Sequence, residues 1–107
     1  MSSSFRYAYN TDKDMFLLKI VGATDGKPIG AIAWYAVHPT SMNNTNPYIS
    51  SDNKGYAQFL FEEEINGADV MPGKGSFVAA FGASNLGDVS PNIQGAKCKS
   101  FIIQLIN

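Results

Sequence analysis

The chain has 107 residues, enough for one small domain that buries roughly two thirds of its unfolded surface. Hydrophobic residues make up 45% of it and charged residues 16%, a composition typical of a globular protein rather than a disordered or fibrous one. Eight basic and nine acidic residues give a net charge of −1 without a basic cluster, which argues against nucleic-acid binding. No apolar stretch approaches the ~20 residues of a membrane span, and the first residues lack the apolar region of a signal peptide.

Two apolar runs near the start of the chain predict a pair of strands. Residues 15–21 and 29–37 are almost continuously apolar, the pattern of strands that are covered on both faces. The link between them contains Asp25, Gly26 and Pro28, residue types that favour a turn. We therefore expect an antiparallel hairpin of two buried strands.

A change of pattern after the second strand predicts a helix. Ser51 or Asp52 is suited to cap a helix that runs over residues 53–65, and Asn66 with Gly67 is a plausible stop. The three glutamates at 62–64 lie near the C-terminal end of that helix. Negative charge is unfavourable there, so their simplest interpretation is a solvated helix end.

A third apolar run, residues 75–81, predicts a buried strand that leads into a turn rich in Gly, Asn, Asp and Pro. Gly82 and Gly87 tolerate positive φ angles, and the turn would hold the Ser90 hydroxyl at the carboxyl end of the strand. Ligands in α/β sheets usually bind at that end. The simpler alternative is that this segment is only a turn.

His38 is the only histidine, and it directly follows the second predicted strand. Imidazole is a common metal ligand, but zinc needs three or four protein ligands, and no spaced His or Cys motif is present. By spacing alone a structural role for His38 is favoured. A triad of Ser90, His38 and Asp88 is improbable, because Asp88 is too close to Ser90 in the chain to reach behind the imidazole.

Three smaller features complete the pattern. Asn43 begins a glycosylation sequon, a short motif that often arises by chance. Cys98 has no second cysteine to pair with, so it is most simply half of a missing disulfide. Residues 100–107 are largely apolar and end without a closing turn, so we expect either a last strand that pairs with the sheet or a chain that is cut from something longer.

Taken together, several stretches of residues 6–98 resemble neutral ceramidase, a zinc-dependent amidohydrolase that cleaves ceramide to sphingosine and a fatty acid. The most specific are the block from His38 to Asn44 and the hexapeptide Gly-Asp-Val-Ser-Pro-Asn at 87–92. The other matching blocks are residues 11–19, 34–37, 51–57, 72–81 and 84–86.

The resemblance implies an α/β fold: a partial mixed β-sheet with a flanking helix, a slice of the large N-terminal catalytic domain of the family. It implies that His38 is a zinc ligand and Ser90 the active-site serine, with ceramide or a related sphingolipid as substrate. Contact with a membrane surface would then be possible through that substrate. The resemblance also implies that the protein is located in the secretory pathway, at the cell surface or in the extracellular space. We expect one partial domain over residues 1–107, with 6–98 ceramidase-like and 99–107 an atypical tail.

Departures from the family pattern keep alternatives open. The resemblance also implies further zinc ligands, a histidine upstream and a glutamate and a tyrosine downstream, and an upstream substrate-binding arginine, none of which has a counterpart here. The chain as it stands is thus either part of an active enzyme or a non-catalytic pseudo-enzyme or gene-model fragment of that family. A small α/β binding module without this chemistry ranks last. The residues do not decide whether Ser90 is a nucleophile or an oxyanion donor.

Overall fold

A computed structural model describes residues 8–95, which form a three-stranded sheet with one helix. The strands are β1 (Met15–Val21), β2 (Pro28–Tyr35) and β3 (Val78–Ala83), and helix α1 (Asp52–Asn66) lies between β2 and β3 in the chain. The order in the sheet is β1-β2-β3, with β1 antiparallel to β2 and β2 parallel to β3. This is the predicted mixed sheet with a flanking helix. The observed strand boundaries are close to the predicted ones. Strand β2 ends at Tyr35, earlier than predicted, and β3 begins at Val78, later than predicted.

The hairpin of β1 and β2 has the predicted antiparallel pairing, with Leu18 opposite Ile32. The Gly22 N–H donates to the Lys27 carbonyl at 2.9 Å, which closes the turn. Gly26 adopts a φ of 66°, a left-handed conformation that glycine takes without steric cost. The turn residues therefore act as the sequence predicts.

The core lies where α1 packs on β3. It contains Ala31, Phe77 and Ala79, which are buried, with Phe61 and Phe81 packed against them. The Phe61 ring meets the Phe77 ring edge to face at a centroid distance of 5.1 Å. Aromatic pairs favour this geometry, and so Phe61 is the apolar contact that orients the helix on the sheet.

Strand β1 does not meet the expectation of burial on both faces. All seven of its residues are exposed, and Phe16 retains 59% of its accessible surface. The reason is that α1 is the one helix in residues 8–95, and it packs on β3 at the opposite edge of the sheet. An apolar edge strand without cover is a template for pairing with another chain.

Replacing Leu18 with lysine should therefore reduce self-association of the 107-residue chain. A charge on an edge strand opposes edge-to-edge pairing, so sedimentation velocity at increasing concentration should show a smaller oligomeric fraction than in the parent chain. Thr24→Lys adds the same charge in the exposed hairpin turn and should leave association unchanged. Equal association of the two variants would contradict a role for β1.

The interpretation of all three glutamates as a solvated helix end is wrong for Glu62. Its side chain is only 2% exposed. Its carboxylate accepts the main-chain N–H groups of Ala79, at 2.9 Å, and of Gly73, and the amide of Gln58 at 3.2 Å. The carboxylate thus serves as a hydrogen-bond partner for the backbone at β3, and its position on the inner face of α1 explains why it is buried.

Hydrogen bonding sets the charge state of Glu62. Burial raises the pKa of the Glu62 carboxyl, but the bonds from Ala79, Gly73 and Gln58 outweigh it, so the pKa lies below its ordinary value. Asn66 adds a second tether, since its side chain accepts the Phe77 N–H at 3.0 Å and donates to the Phe77 carbonyl at 2.8 Å. Helix and strand are joined by these polar contacts as well as by the aromatic core.

Glu62→Gln should lower the free energy of unfolding at neutral pH by about 1–3 kcal/mol, because an amide leaves one buried backbone N–H without an acceptor. A depressed carboxyl pKa contributes stability that is complete above the unfolded pKa of about 4.3 and is lost as pH falls through the lower folded pKa. The variant should therefore lose less stability than the parent below about pH 4.3. Urea unfolding from pH 7 to pH 3 measures both effects.

The exposed Glu64 provides the matched control on the same helix. Glu64→Gln should leave both the stability and its pH dependence close to those of the parent. If Glu62→Gln and Glu64→Gln gave the same unfolding profile, the buried carboxylate would have no special role.

Candidate active site

His38 lies three residues beyond the carboxyl end of β2 and is partly buried. Its main-chain N–H donates to the carbonyl of Val89 at 3.0 Å. Its ring Nε2 is 3.2 Å from the carbonyl of Gly87. Two carbonyls of the hexapeptide at 87–92 therefore hold His38, one at its backbone and one at its ring.

Ser90 is exposed on the turn that follows β3. Its hydroxyl oxygen accepts the main-chain N–H of Asn92 at 3.1 Å, which leaves the hydroxyl proton free to donate. The side-chain amide of Asn92 donates to the carbonyl of Thr40, so the Ser90 turn is also tied to the loop after His38. The hydroxyl is accessible, and its position is fixed by the turn.

The parallel pairing of β2 and β3 explains why these two segments meet. Parallel strands end at the same edge of a sheet, and Tyr35 is paired with Ala83 at that edge. The Ser84 N–H continues the ladder by donating to the Tyr35 carbonyl at 3.3 Å. The segments that carry His38 and Ser90 are thus in direct contact, although the roles of the two side chains stay predictions.

The glycines of the turn do not act as expected. Positive φ angles among the described glycines occur at 26, 67, 73 and 95, and neither Gly82 nor Gly87 is among them. Gly82 instead makes room for a neighbour, since a Cβ there would lie 3.0 Å from Cδ1 of Trp34. Close packing of an indole ring, rather than backbone conformation, is the reason for glycine at that position.

Asp88 and the ring of His38 each contact another part of the chain. The carboxylate of Asp88 accepts the main-chain N–H of Asp12 at 3.3 Å. The ring of His38 contacts the Gly87 carbonyl instead. Asp88 therefore fastens the N-terminal segment to the turn.

Asp52 is a residue whose function the sequence pattern did not reveal. Its carboxylate accepts the main-chain N–H groups of Ser41, at 2.9 Å, and Met42, at 3.0 Å. Burial raises the pKa of the Asp52 carboxyl, but these bonds, with those from Asn53 and the Ser41 hydroxyl, outweigh it and bring the pKa below its ordinary value. Asp52 thereby holds the loop after His38 as an anion.

The expected helix cap is accordingly wrong. Ser51 occupies the N-cap position without a side-chain capping bond, and the Asp52 carboxylate accepts N–H groups of the loop as well as that of Asn53 in its own helix. Asp52 also has a φ of 52°, the one positive value at a non-glycine residue in the described chain. This conformation costs an ordinary residue roughly 1–2 kcal/mol. An acidic residue at a helix start looks like a cap in sequence, so no local signal distinguishes the two uses.

The next two residues of α1 also reach the His38 segment. The amide of Asn53 donates to the carbonyl of His38 at 2.8 Å and to the hydroxyl of Ser41 at 3.2 Å. The ammonium group of Lys54 donates to the carbonyl of Val37. Burial lowers the pKa of Lys54, and the nearby charge of Asp52 partly opposes this shift.

Two buried polar atoms at this edge have no hydrogen-bond partner within residues 8–95. They are the side-chain carbonyl oxygen of Asn53 and the hydroxyl of Ser84. A cavity of about 200 Å³ also opens beside the first turns of α1. Most of its lining is apolar, and it includes Met42, Tyr56 and Leu60. The apolar cavity thus lies between the loop after His38 and the start of α1, and Asn53 is one of its lining residues.

The His38 imidazole fits one position of a zinc site. Since a carbonyl only accepts, the contact of Nε2 with Gly87 favours the tautomer with its proton on Nε2, which leaves the Nδ1 lone pair for a metal. Within residues 8–95 no group of three or more His, Cys, Asp and Glu is arranged to hold a metal ion. A complete zinc site would require donors from outside these residues.

The family is identified by comparison with known proteins. The family described as "Neutral/alkaline non-lysosomal ceramidase, N-terminal" matches residues 2–104. The chain belongs to this family. The resemblance inferred from the motifs is thereby confirmed.

Neutral ceramidases of two organisms are similar to this chain over most of its length. The neutral ceramidase of Drosophila melanogaster is 56% identical over 93 residues, which are 87% of this chain and 13% of the relative. Neutral ceramidase A of Dictyostelium discoideum is 53% identical over the same shares of the two chains. This chain therefore spans about one eighth of the length of these ceramidases.

Solved structures agree with the fold. A crystal structure of neutral ceramidase from Pseudomonas aeruginosa superposes with a TM-score of 0.61 at 40% identity, covering 84% of this chain and 14% of that one. A ceramidase solved in complex with C2 gives 0.62 at 44% identity, covering 78% and 12%. The three strands and the helix are thus a slice of the ceramidase fold.

Three further predictions concern the cysteine, the membrane and the glycosylation sequon. Cys98 and the tail at 99–107 fall outside the described residues. Within the described part of the ceramidase-family chain, no helix is long and apolar enough to cross a membrane. The side-chain oxygen of Asn43 accepts both the N–H and the hydroxyl of Thr45 at 3.0 Å, a local turn that leaves its use as a glycosylation site a prediction.

Proposed function

We propose that this chain contributes the metal-binding His38 and the reactive Ser90 of a zinc-dependent amidohydrolase that cleaves ceramide to sphingosine and a fatty acid. The observation that carries the proposal is the contact between the two segments, the 3.0 Å hydrogen bond from the His38 N–H to the Val89 carbonyl. Membership of the ceramidase family supports ceramide as the substrate class. On the resemblance alone we also assign the protein to the secretory pathway or cell surface, where a glycan at Asn43 would mark it.

The chemistry of the two residues suits amide hydrolysis. A bound zinc ion would supply a Lewis acid that polarises the amide carbonyl or activates water. His38 would hold it, with the ring fixed in orientation and tautomer by the Gly87 carbonyl. The exposed Ser90 hydroxyl would face the amide carbon or its oxygen.

The hydrogen bond at Ser90 is compatible with the nucleophilic role. The Asn92 N–H donates to the hydroxyl oxygen, and such a donor stabilises negative charge that develops on that oxygen during attack. The hydroxyl proton is left free for transfer to a base. An oxyanion donor would use the same proton without losing it, and the two roles differ in whether an acyl-enzyme accumulates.

The test uses a chimaera, because this chain spans only 13% of the Drosophila relative. In the chimaera, the 93 matching residues of that relative are replaced by those of this chain. Ser90→Ala should reduce hydrolysis of a fluorescent ceramide by at least about a hundredfold, and His38→Ala should also reduce bound zinc measured by atomic absorption. Removal of zinc with a chelator should abolish the activity of the parent chimaera.

Ser76→Ala is the matched control, since Ser76 is exposed and precedes β3 at the end remote from the turn. It should retain full activity. Full activity of Ser90→Ala would remove Ser90 from the mechanism, and zinc-independent hydrolysis would remove the metal.

A second candidate is that the 107 residues alone are a non-catalytic remnant of the family. The observation that favours it is that no three His, Cys, Asp or Glu side chains of residues 8–95 are grouped to hold a metal ion, whereas zinc needs three or four protein ligands.

Titration of the isolated chain with zinc should accordingly show no tight, stoichiometric binding at neutral pH. Isothermal titration calorimetry measures this directly, and the His38→Ala variant should give the same weak signal. Tight binding at one zinc per chain, lost in His38→Ala, would contradict the remnant and would mean that this chain assembles a site by itself.

A further inference from the structure

Three consecutive residues at the start of α1 contact the segment around His38 in order. Lys54 donates to the Val37 carbonyl, and Asn53 donates to the His38 carbonyl at 2.8 Å. Asp52 accepts the N–H groups of the loop that follows, at Ser41 and Met42. We call Asp52, Asn53 and Lys54 the helix-start clamp.

Two residues of the clamp have features that are unfavourable for the helix itself. Ser51 at the N-cap position makes no side-chain capping bond, and Asp52 has a left-handed backbone conformation. Lys54 places a positive charge where the helix dipole disfavours one. The left-handed Asp52 and the charged Lys54 are the two residues whose side chains contact the segments on either side of His38.

We propose that Asn53 is a positioning residue for His38, holding the histidine backbone so that its ring meets the hexapeptide and presents a ligand to the metal. The inference rests on the proposed function, since it assumes that His38 binds zinc. Asn53 makes no direct contact with the metal or substrate in this proposal. It acts through the backbone carbonyl of His38.

The geometry distinguishes Asn53 from its neighbours in the clamp. Asn53 bonds to His38 itself, whereas Asp52 and Lys54 bond to residues on either side. On the opposite side, His38 is held by Val89 at its N–H and by Gly87 at its ring. With Asn53 at the carbonyl, both backbone polar groups and the ring are fixed, so few rotations remain for the imidazole.

Asn66 offers a matched control on the same helix. It too donates its side-chain amide to a main-chain carbonyl at 2.8 Å, but that carbonyl belongs to Phe77. Asn53→Ala and Asn66→Ala therefore remove the same chemical group from opposite ends of α1. Only the first should affect His38.

The first measurement is amide hydrogen exchange in the 107-residue chain, followed by NMR. Asn53→Ala should speed exchange roughly fivefold to tenfold at His38, Ser41 and Met42, because a lost hydrogen bond eases local opening. It should leave the amide of Phe77 unchanged, and Asn66→Ala should give the reverse pattern. Unchanged exchange around His38 in Asn53→Ala would overturn the proposal whatever the protein's function.

The second measurement is zinc affinity in the chimaera, by competition with a chelator. Loss of a group that orients a metal ligand typically weakens binding about tenfold to a hundredfold, and we expect this for Asn53→Ala. Asn66→Ala should stay within about twofold of the parent chimaera, and thermal unfolding of both variants reports any general loss of stability. A merely structural role for Asn53 would lower stability without this selective loss of zinc.

The outcomes separate the two proposals. If the parent chimaera binds zinc and hydrolyses ceramide but Asn53→Ala keeps full zinc affinity, the positioning role is wrong and the proposed function stands. If the parent chimaera folds but His38→Ala loses no zinc, the proposed function of His38 fails, and the positioning role fails with it. Selective loss of zinc in Asn53→Ala supports both.

Discussion

The parallel pairing of β2 with β3 is the constraint on which the rest of this structure depends. It brings the ends of two strands that are far apart in the chain to one edge, with Tyr35 opposite Ala83. A parallel pair needs a long crossover, and α1 fills it here by packing on β3. Because the pairing is parallel, the loops that carry His38 and Ser90 contact each other. An antiparallel arrangement would have placed them at opposite ends of the sheet.

Side chains of α1 stabilise this arrangement by bonding to backbone at both of its ends. Near the C-terminal end, Glu62 and Asn66 bond to the main chain at Phe77, Ala79 and Gly73. At the N-terminal end, the helix-start clamp bonds to the His38 segment. Loops and strand ends have backbone groups without sheet partners, and a rigid helix is well suited to satisfy them. The helix is thus a connector between the strand that precedes Ser90 and the loop that contains His38.

The chain is a slice of a much longer fold, and its surface reflects this. Strand β1 is largely apolar and exposed along its whole length, and polar atoms of Asn53 and Ser84 are buried without partners in the described residues. Ceramidases that match it are several times longer, since the slice covers 13% of the Drosophila relative. In the longer proteins, we expect the rest of the domain to cover β1 and to provide partners for these atoms. The same argument applies to zinc, for which His38 is one donor of the several that are needed.

The sequence by itself determined the local elements, the hairpin and the family. The sequence predicts β1, β2, α1 and β3 close to their observed bounds. It does so because apolar runs, turn residues and helix periodicity depend only on neighbours in the chain. The motifs at 38–44 and 87–92 likewise identified the ceramidase family from residues alone. Only the tertiary structure decided that β1 is uncovered, that Glu62 is buried and that Asp52 holds the loop after His38. Burial and hydrogen-bond partners depend on which distant segment packs against a residue, and no local pattern encodes that choice.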